Sequence, residues 1–498
     1  MATEEQKVRD FGLIFYIWFL IVLAAYAFGA YSIYQMTAIN QNLTDWVLAK
    51  FGVAYSFVES YIWWVILAVV VLLVIGILIA YLEVWLMSYV GAELVNTVIF
   101  GGTALLIAAG VFLLVQYQGN LRWIGIAVLA PAAFILVIVL LLARRIILGS
   151  KVFEMSNEAV NEEKGTLIPV LFFSVISVVT TITGVAGSIY AGANLDTWLE
   201  QSGRTSDWLE YLVFFVIIFI YLTIHWTMLY FSDAINICIF KRWNNYKDAS
   251  IRIAMKEIWK VKGSIILFGT FMAFFDAIIK TVQYFAKKKF WGKWKQNKAV
   301  KITLKVLTVI FFLFILLLKA LWKVLKFLNY YTLTIIVVEK QGFVKSMIRS
   351  TDLAVDSAAD IIIGKAGVNI AKGFFTVMTF GVFSTGGFFL GYYWLADLFG
   401  ISAGEIAGIS FKVMFSLAVA AVFFLFGYLP TTAILRPIST AYKTILFFHI
   451  SDPFRGHTGR RTRISEDIQK NLSKITADVM ETYDKEERPV WEKKAEDT

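Results

Sequence analysis

The sequence predicts an all-α fold: a polytopic transmembrane helix bundle of about ten spans, with cytoplasmic amphipathic helices. Three observations predict it. Apolar residues make up 59% of the 498-residue chain, charged residues 16%, and the mean hydropathy is +0.71. A soluble globular domain carries about 25% charged residues and less than half apolar ones. Apolar runs of about 18 residues or more recur along the chain, and about 20 such residues cross a hydrocarbon core. The short alternating segments of a transmembrane β-barrel are missing from the pattern. The single Cys238 excludes an intrachain disulfide framework and a cysteine-rich metal or iron–sulfur site. His225, His449 and His457 are scattered without metal-ligand spacing. The formal charge of +10 reads as the Lys/Arg excess of cytoplasmic faces rather than as a nucleic-acid surface.

Residues 1–10 mix both charges and read as a cytoplasmic amino terminus. The apolar run that follows is too long for a secretory h-region, so 11–35 reads as the first span. The loop 36–60 holds Lys50 as its sole cation and reads as external; it contains an Asn42-Leu43-Thr44 sequon. A second span, 61–89, opens on Tyr61, Trp63 and Trp64, an interfacial belt or, alternatively, part of a ligand site. Glu83 and Glu93 flank the turn into a third span, 93–116, and a fourth, 122–143, contains Pro131.

A polar link follows, with Arg144, Arg145, Lys151, Glu154, Asn157, Glu158, Asn161, Glu162, Glu163 and Lys164. Two readings stand: a solvated cytoplasmic loop, or ionisable groups partly inside the bundle, where their cost marks them as functional candidates. The fifth span, 166–190, ends at Tyr190, and the loop 191–209 with Asp196, Glu200, Arg204 and Asp207 reads as external. The sixth, 210–240, carries His225, Trp226, Tyr230, Asp233 and Asn236. Helical spacing puts Trp226, Tyr230 and Asp233 on one face. An acid beside two aromatics suits an organic cation; the alternative is a structural hydrogen bond to a neighbouring helix.

Residues 241–262 read as a basic amphipathic surface helix, with Ile251, Ile253, Met255, Ile258 and Val261 on its apolar side. The apolar run 263–285 pairs Asp276 with Lys280 at i, i+4. Seven lysines crowd 286–301 before a second apolar stretch at 303–338. A single crossing by 263–285 would put those lysines outside, against the positive-inside tendency; a re-entrant segment would keep them inside, and the sequence leaves both open. In the polar segment 339–365, Asp352, Asp356 and Asp360 recur every four residues, a cation-attracting stripe or a solvated helix face. Two further spans, 366–395 and 408–445, close a transmembrane domain at 11–445. The charged tail 446–498 reads as cytoplasmic, with an amphipathic helix at 463–485.

No Walker loop, nucleotide fingerprint, HExxH or nucleophile elbow occurs. That leaves a channel, a facilitator or secondary transporter, an intramembrane enzyme, or a membrane scaffold that organises lipid through its amphipathic segments. An enzyme is not expected, nor a cofactor or metal.

The order of motifs resembles the choline transporter-like family, as a distant member. The stretch ARRIILGSKVFEMSNEAVNEEKGTLIPVLFF is similar to that family's span, polar link and next span, through Arg144, Arg145, Ile147, Glu154, Asn157, Glu158, Ala159, Val160, Leu167 and Pro169. YFSDAINICIFKRW and AMKEIWKVKGSIILFGTFMAF follow in the family's order, with Gly263, Ser264 and Gly269 matching. Trp322, Leu328 and Asn329 resemble its Trp-rich helix and "LN" step, although Tyr330-Tyr331-Thr332 replaces the usual continuation. VDSAADIIIGKAGVNIAKGF and HISDPF complete the series. The resemblance implies ten spans, both termini cytoplasmic, a multi-pass protein of the cell membrane, and transport of choline or a related small organic amine without ATP. The expected partners are that cation and the lipid bilayer, with no nucleic acid; the oligomeric state stays open. The substrate-binding residues expected are Trp226, Tyr230 and Asp233, with Glu154 and Glu158 in the central link and Tyr190 at the end of the fifth span.

Overall fold

The computed structural model describes residues 12–39, most of 74–116, 120–201 apart from 142, 207–291 apart from 246, 298–398, 405–406 and 409–451. The described chain is almost entirely helical. In order it forms α1 (Gly12–Ile39), α2 (Gly102–Gln116, entered through a π-turn at Thr97–Gly101), α3 (Asn120–Leu141), α4 (Ala143–Glu162), α5 (Leu167–Gln201) and α6 (Asp207–Asn244). The short α7 (Ile251–Trp259) leads into α8 (Lys262–Trp291), α9 (Lys298–Leu328), α10 (Thr332–Glu339) and α11 (Phe343–Asp356), and the long α12 (Ala358–Leu390) and α13 (Phe411–Ser451) close the fold. A two-residue antiparallel pairing, Glu405–Ile406 with Ile409–Ser410, links the last two.

Five helical stretches among the described residues are long and apolar enough to cross a membrane: Leu13–Gln35, Thr97–Gln116, Lys164–Ala191, Leu212–Asn244 and Lys262–Gln283. They coincide with the first, third, fifth and sixth predicted spans and with the run 263–285. Shorter apolar stretches fall at Val128–Leu141 and Lys412–Phe424. The chain is therefore an all-α membrane bundle. Its outer surface agrees. On α5, Ile168, Phe172, Val175, Val179 and Ile182 are all exposed and recur every three or four residues, so one apolar stripe faces outward along the helix. In water such a stripe would be costly; against lipid tails it is at home.

The inward faces meet at α6, which packs against α5, α8, α13, α7 and α10. Small residues set the closest approaches, as membrane helices need when lipid supplies no hydrophobic drive between them. At Gly269 of α8, an added Cβ would lie 2.9 Å from the Cα of Thr227 in α6. At Gly391, after α12, it would lie 2.9 Å from the Cα of Ser416 in α13.

The structure corrects several sequence expectations. The polar link 144–164 is not a loop: α4 covers most of it. Val152, Phe153, Met155, Ser156, Asn157, Ala159 and Val160 are buried, facing α12 and α13, because apolar residues recur at helical spacing among the charges. The fifth span runs on past Tyr190 to Gln201 as one helix. The run 263–285 is one continuous helix, and 303–338 is a helix broken at Asn329–Tyr331 between α9 and α10. The acid stripe is interrupted at Ser357, where α11 ends and α12 begins; Asp352 and Asp356 are exposed and Asp360 is half-buried. The basic segment 241–262 is helical as α7 only from Ile251, since 241–244 continues α6. The sequon, Tyr61, Trp63, Trp64, the connection 292–297 and the tail helix 463–485 lie outside the described residues.

Candidate functional site

The middle of α6 gathers the charges and rings that membrane depth makes expensive. Trp226, Tyr230 and Asp233 follow one another up one helical face, and the Trp226 and Tyr230 rings stack with centroids 5.6 Å apart. Tyr230 stacks in turn on Phe268 of α8 at 4.5 Å. The Gly269 contact makes this possible, because the absent side chain lets the two backbones close. From α8, Phe271 and Phe275 extend the cluster, and Phe275 stacks on Trp322 of α9 at 5.8 Å. The result is an aromatic wall built by three helices. It lies near the middle of the apolar stretches Leu212–Asn244 and Lys262–Gln283.

Two carboxylates border this wall. Asp233 accepts from Arg436 of α13 through both oxygens, at 2.7 Å from Nε and 2.8 Å from a terminal nitrogen. Thr440 donates to the same carboxylate at 3.4 Å, and Arg436 also donates to the carbonyl of Leu229 at 3.2 Å. Such a fork is the strongest geometry an ion pair has, and it ties α6 to α13. The second carboxylate, Asp276 of α8, is held more loosely. It accepts from the Trp226 indole N–H at 3.3 Å and pairs with Lys280 at 3.9 Å, the i, i+4 partner read from the sequence.

A cation already sits against the wall. The Lys326 ammonium lies 4.6 Å from the Trp322 ring centre and 5.2 Å from that of Trp226. It belongs to the last turn of α9, where the helix dipole is negative. The break that follows is bridged by side chains on both sides of it: Asn329 donates to the Leu325 carbonyl at 3.0 Å and accepts from the Thr332 hydroxyl at 3.0 Å. Ser350 of α11 donates to the carbonyl of Leu328 at 2.8 Å and accepts from the backbone N–H of Tyr331 at 3.0 Å. Beyond it, α10 is buried from Thr332 to Val337. Lys241 donates to the Val338 carbonyl near its far end at 2.9 Å. Broken helices of this kind, ending inside a bundle, are how membrane transporters present helix ends to ions.

The other residues singled out in the sequence lie elsewhere. Glu154 is half-buried and Glu158 exposed on α4. The carboxylate of Glu162, at the end of that helix, accepts from the Trp243 indole at 2.7 Å, so α4 meets the carboxyl-terminal end of α6. Tyr190 sits towards the opposite end of the bundle, its ring edge-on to Tyr31 and Phe28 of α1 at 5.8 Å and 6.4 Å. The structure thus joins Trp226, Tyr230 and Asp233 and leaves Glu154, Glu158 and Tyr190 apart from them. Arg436, Asp276, Trp322 and Lys326 were not among the sequence-derived site residues. Three signals in the sequence bear on them: an arginine inside an apolar run, a Trp-Lys pair at i, i+4, and the i, i+4 pair of Asp276 with Lys280.

Residues 126–453, well over half of the chain, match the family model described as plasma-membrane choline transporter. The matched segment contains every residue of the aromatic wall and both carboxylates. No curated protein matches the chain.

Proposed function

The chain belongs to the plasma-membrane choline transporter family, and from that premise we propose that it moves choline or a related small organic amine across the membrane, by facilitated diffusion or ion-coupled exchange. The observation that carries this reading is the aromatic wall at mid-bundle with an ammonium already lodged on it. A quaternary ammonium donates no hydrogen bond. Its recognition rests on ring faces, each contributing roughly 0.5–2 kcal/mol, and on a nearby negative charge. Trp226 and Trp322 supply the faces, with Tyr230 stacked behind Trp226 to hold it; Asp276 supplies the charge, and the end of α9 a further negative pole. Asp233 acts from behind by fixing Arg436 and the face of α6 that carries Trp226 and Tyr230.

On this reading the other expected residues flank the path. Tyr190 stands on one approach to the wall, and Glu154 and Glu158 stand on the other, on α4, whose last turn meets the carboxyl-terminal end of α6 through Glu162 and Trp243. An even number of crossings, about ten, would put both termini on one side, and the Lys/Arg-rich tail favours the cytoplasm as that side.

The test is uptake of labelled choline by liposomes holding the purified protein, with unlabelled ethanolamine as competitor. Saturable, competed uptake is expected. Replacing Trp322 with Ala should weaken choline affinity by about tenfold, the size of one lost ring face. Absence of uptake, together with absence of thermal stabilisation by any amine, would sink the proposal and leave a membrane scaffold as the reading.

A further inference from the structure

We propose that Lys326 is a built-in competitor for the substrate: its ammonium occupies the position that the substrate's ammonium takes, and the substrate binds by displacing it. The inference rests on the amine-transport reading for the name of the substrate, but the displacement itself needs only that the site accepts an organic cation.

The geometry points to this in three ways. First, the Lys326 ammonium lies over two indole rings at once, at 4.6 Å and 5.2 Å, the arrangement by which aromatic cages hold alkylammonium ligands. Second, the rings are not arranged around lysine alone. Trp226 is fixed by its own hydrogen bond to Asp276 at 3.3 Å, and Trp322, 7% exposed, is fixed by stacking on Phe275. The cage therefore stands whether or not the lysine is in it. Third, the charges do not accommodate two cations together. Asp276, the carboxylate bordering the wall, is already paired with Lys280 at 3.9 Å, so its charge is not free to balance a second cation. Another positive group arriving beside Lys326 would meet surplus positive charge. If Lys326 swings away as the substrate arrives, the charge at the site is unchanged. A lysine suits this role: its ammonium is a compact charge on a flexible stem, able to reach towards a polar surface while its carbons stay in apolar surroundings. Lys319 and Lys323, the preceding lysines of α9, are exposed. Lys326 is the one drawn onto the rings.

The experiment is calorimetric titration of the purified full chain with tetramethylammonium, the bare cationic group without hydroxyl or amine donors. Lys326→Met keeps length and apolar packing and removes the charge; it should bind about tenfold or more tightly than the wild type. Lys326→Arg places a planar guanidinium on the same rings and should bind more weakly than the wild type. Equal or weaker binding by Lys326→Met overturns the inference. Should that variant fail to fold, Lys326→Arg decides alone, and binding equal to or tighter than wild type overturns it. Choline uptake, measured in parallel, separates the two proposals. Tightening without choline uptake keeps the displaced lysine and discards choline as substrate. Uptake without tightening discards the displaced lysine and keeps the transporter. No tetramethylammonium binding by any variant rejects the lysine-occupied cage whatever the uptake shows.

Discussion

Asp233 and Asp276 face the same aromatic wall from neighbouring helices and differ in how fully they are satisfied. Both oxygens of Asp233 are held by Arg436 at 2.7–2.8 Å, with Thr440 behind. Asp276 has one indole N–H at 3.3 Å and one lysine at 3.9 Å. A bidentate pair away from water repays its desolvation only by staying closed, so it serves as a strut between α6 and α13. A carboxylate with longer, sparser contacts exchanges partners at lower cost. Two acids that look equivalent in the sequence are thereby divided into a fastener and a binding group, and the division is made by what the neighbouring helices bring to each.

The largest expected effect tests the fastener. Arg436→Ala strands a charged carboxylate inside the bundle and should cost roughly 3–5 kcal/mol of stability, read as a fall in thermal unfolding temperature in detergent. Adding Asp233→Asn should recover part of that loss, since the double variant leaves no bare charge. Asp276→Asn, by contrast, should leave the unfolding temperature near wild type and weaken amine binding by about tenfold. The opposite pattern, an Asp233→Asn variant that folds like the wild type but binds amines more weakly while Asp276→Asn binds them unchanged, would make Asp233 the binding acid and break the division.

A middle-sized effect sharpens the comparison by moving one acid and not the other. Gly269 sets the spacing of α6 and α8, on which the 3.3 Å contact between Trp226 and Asp276 depends; the Asp233–Arg436 pair joins α6 to a different helix. Gly269→Ala drives a methyl group to 2.9 Å from the Thr227 Cα, an overpacking worth about 1–3 kcal/mol. It should weaken amine binding as well as stability. Gly342→Ala is the control, since nothing lies within 4 Å of an added Cβ there.

The sequence made the helical class and most span positions legible, because both depend on runs of consecutive apolar residues. It also placed Trp226, Tyr230 and Asp233 on one face and paired Asp276 with Lys280, since helical periodicity settles those. It did not reveal that Arg436 closes on Asp233, a contact between residues 203 positions apart. Nor did it reveal the break at Asn329–Tyr331, where Ser350, in a later helix, satisfies the backbone that the break frees. Local pattern carries no record of which helix lies opposite. In the central link the density of charge leaves a solvated loop and a partly buried segment both open, and only the helix shows that Phe153, Asn157 and Val160 fall on its buried side.

That link supplies the smallest effect and the strictest check on where the site lies. Glu158 is an expected binding residue from its place in the polar link, which the family resemblance also covers. In the structure it is exposed on α4, whose opposite face packs on α12 and α13, while the aromatic wall is built by α6, α8 and α9. A substitution on an exposed helix face away from caps and special backbone usually changes stability by less than about 0.5 kcal/mol. Glu158→Gln should therefore leave the unfolding temperature and tetramethylammonium affinity within error of the wild type. Any loss should appear in uptake rate, because an exposed charge steers an approaching cation without holding it. That loss should fade as salt is raised, screening of exposed charges setting in over about 10 Å at 0.1 M. A salt-independent fall in affinity would instead put Glu158 in contact with the bound amine and move the site from the α6–α8–α9 wall towards α4.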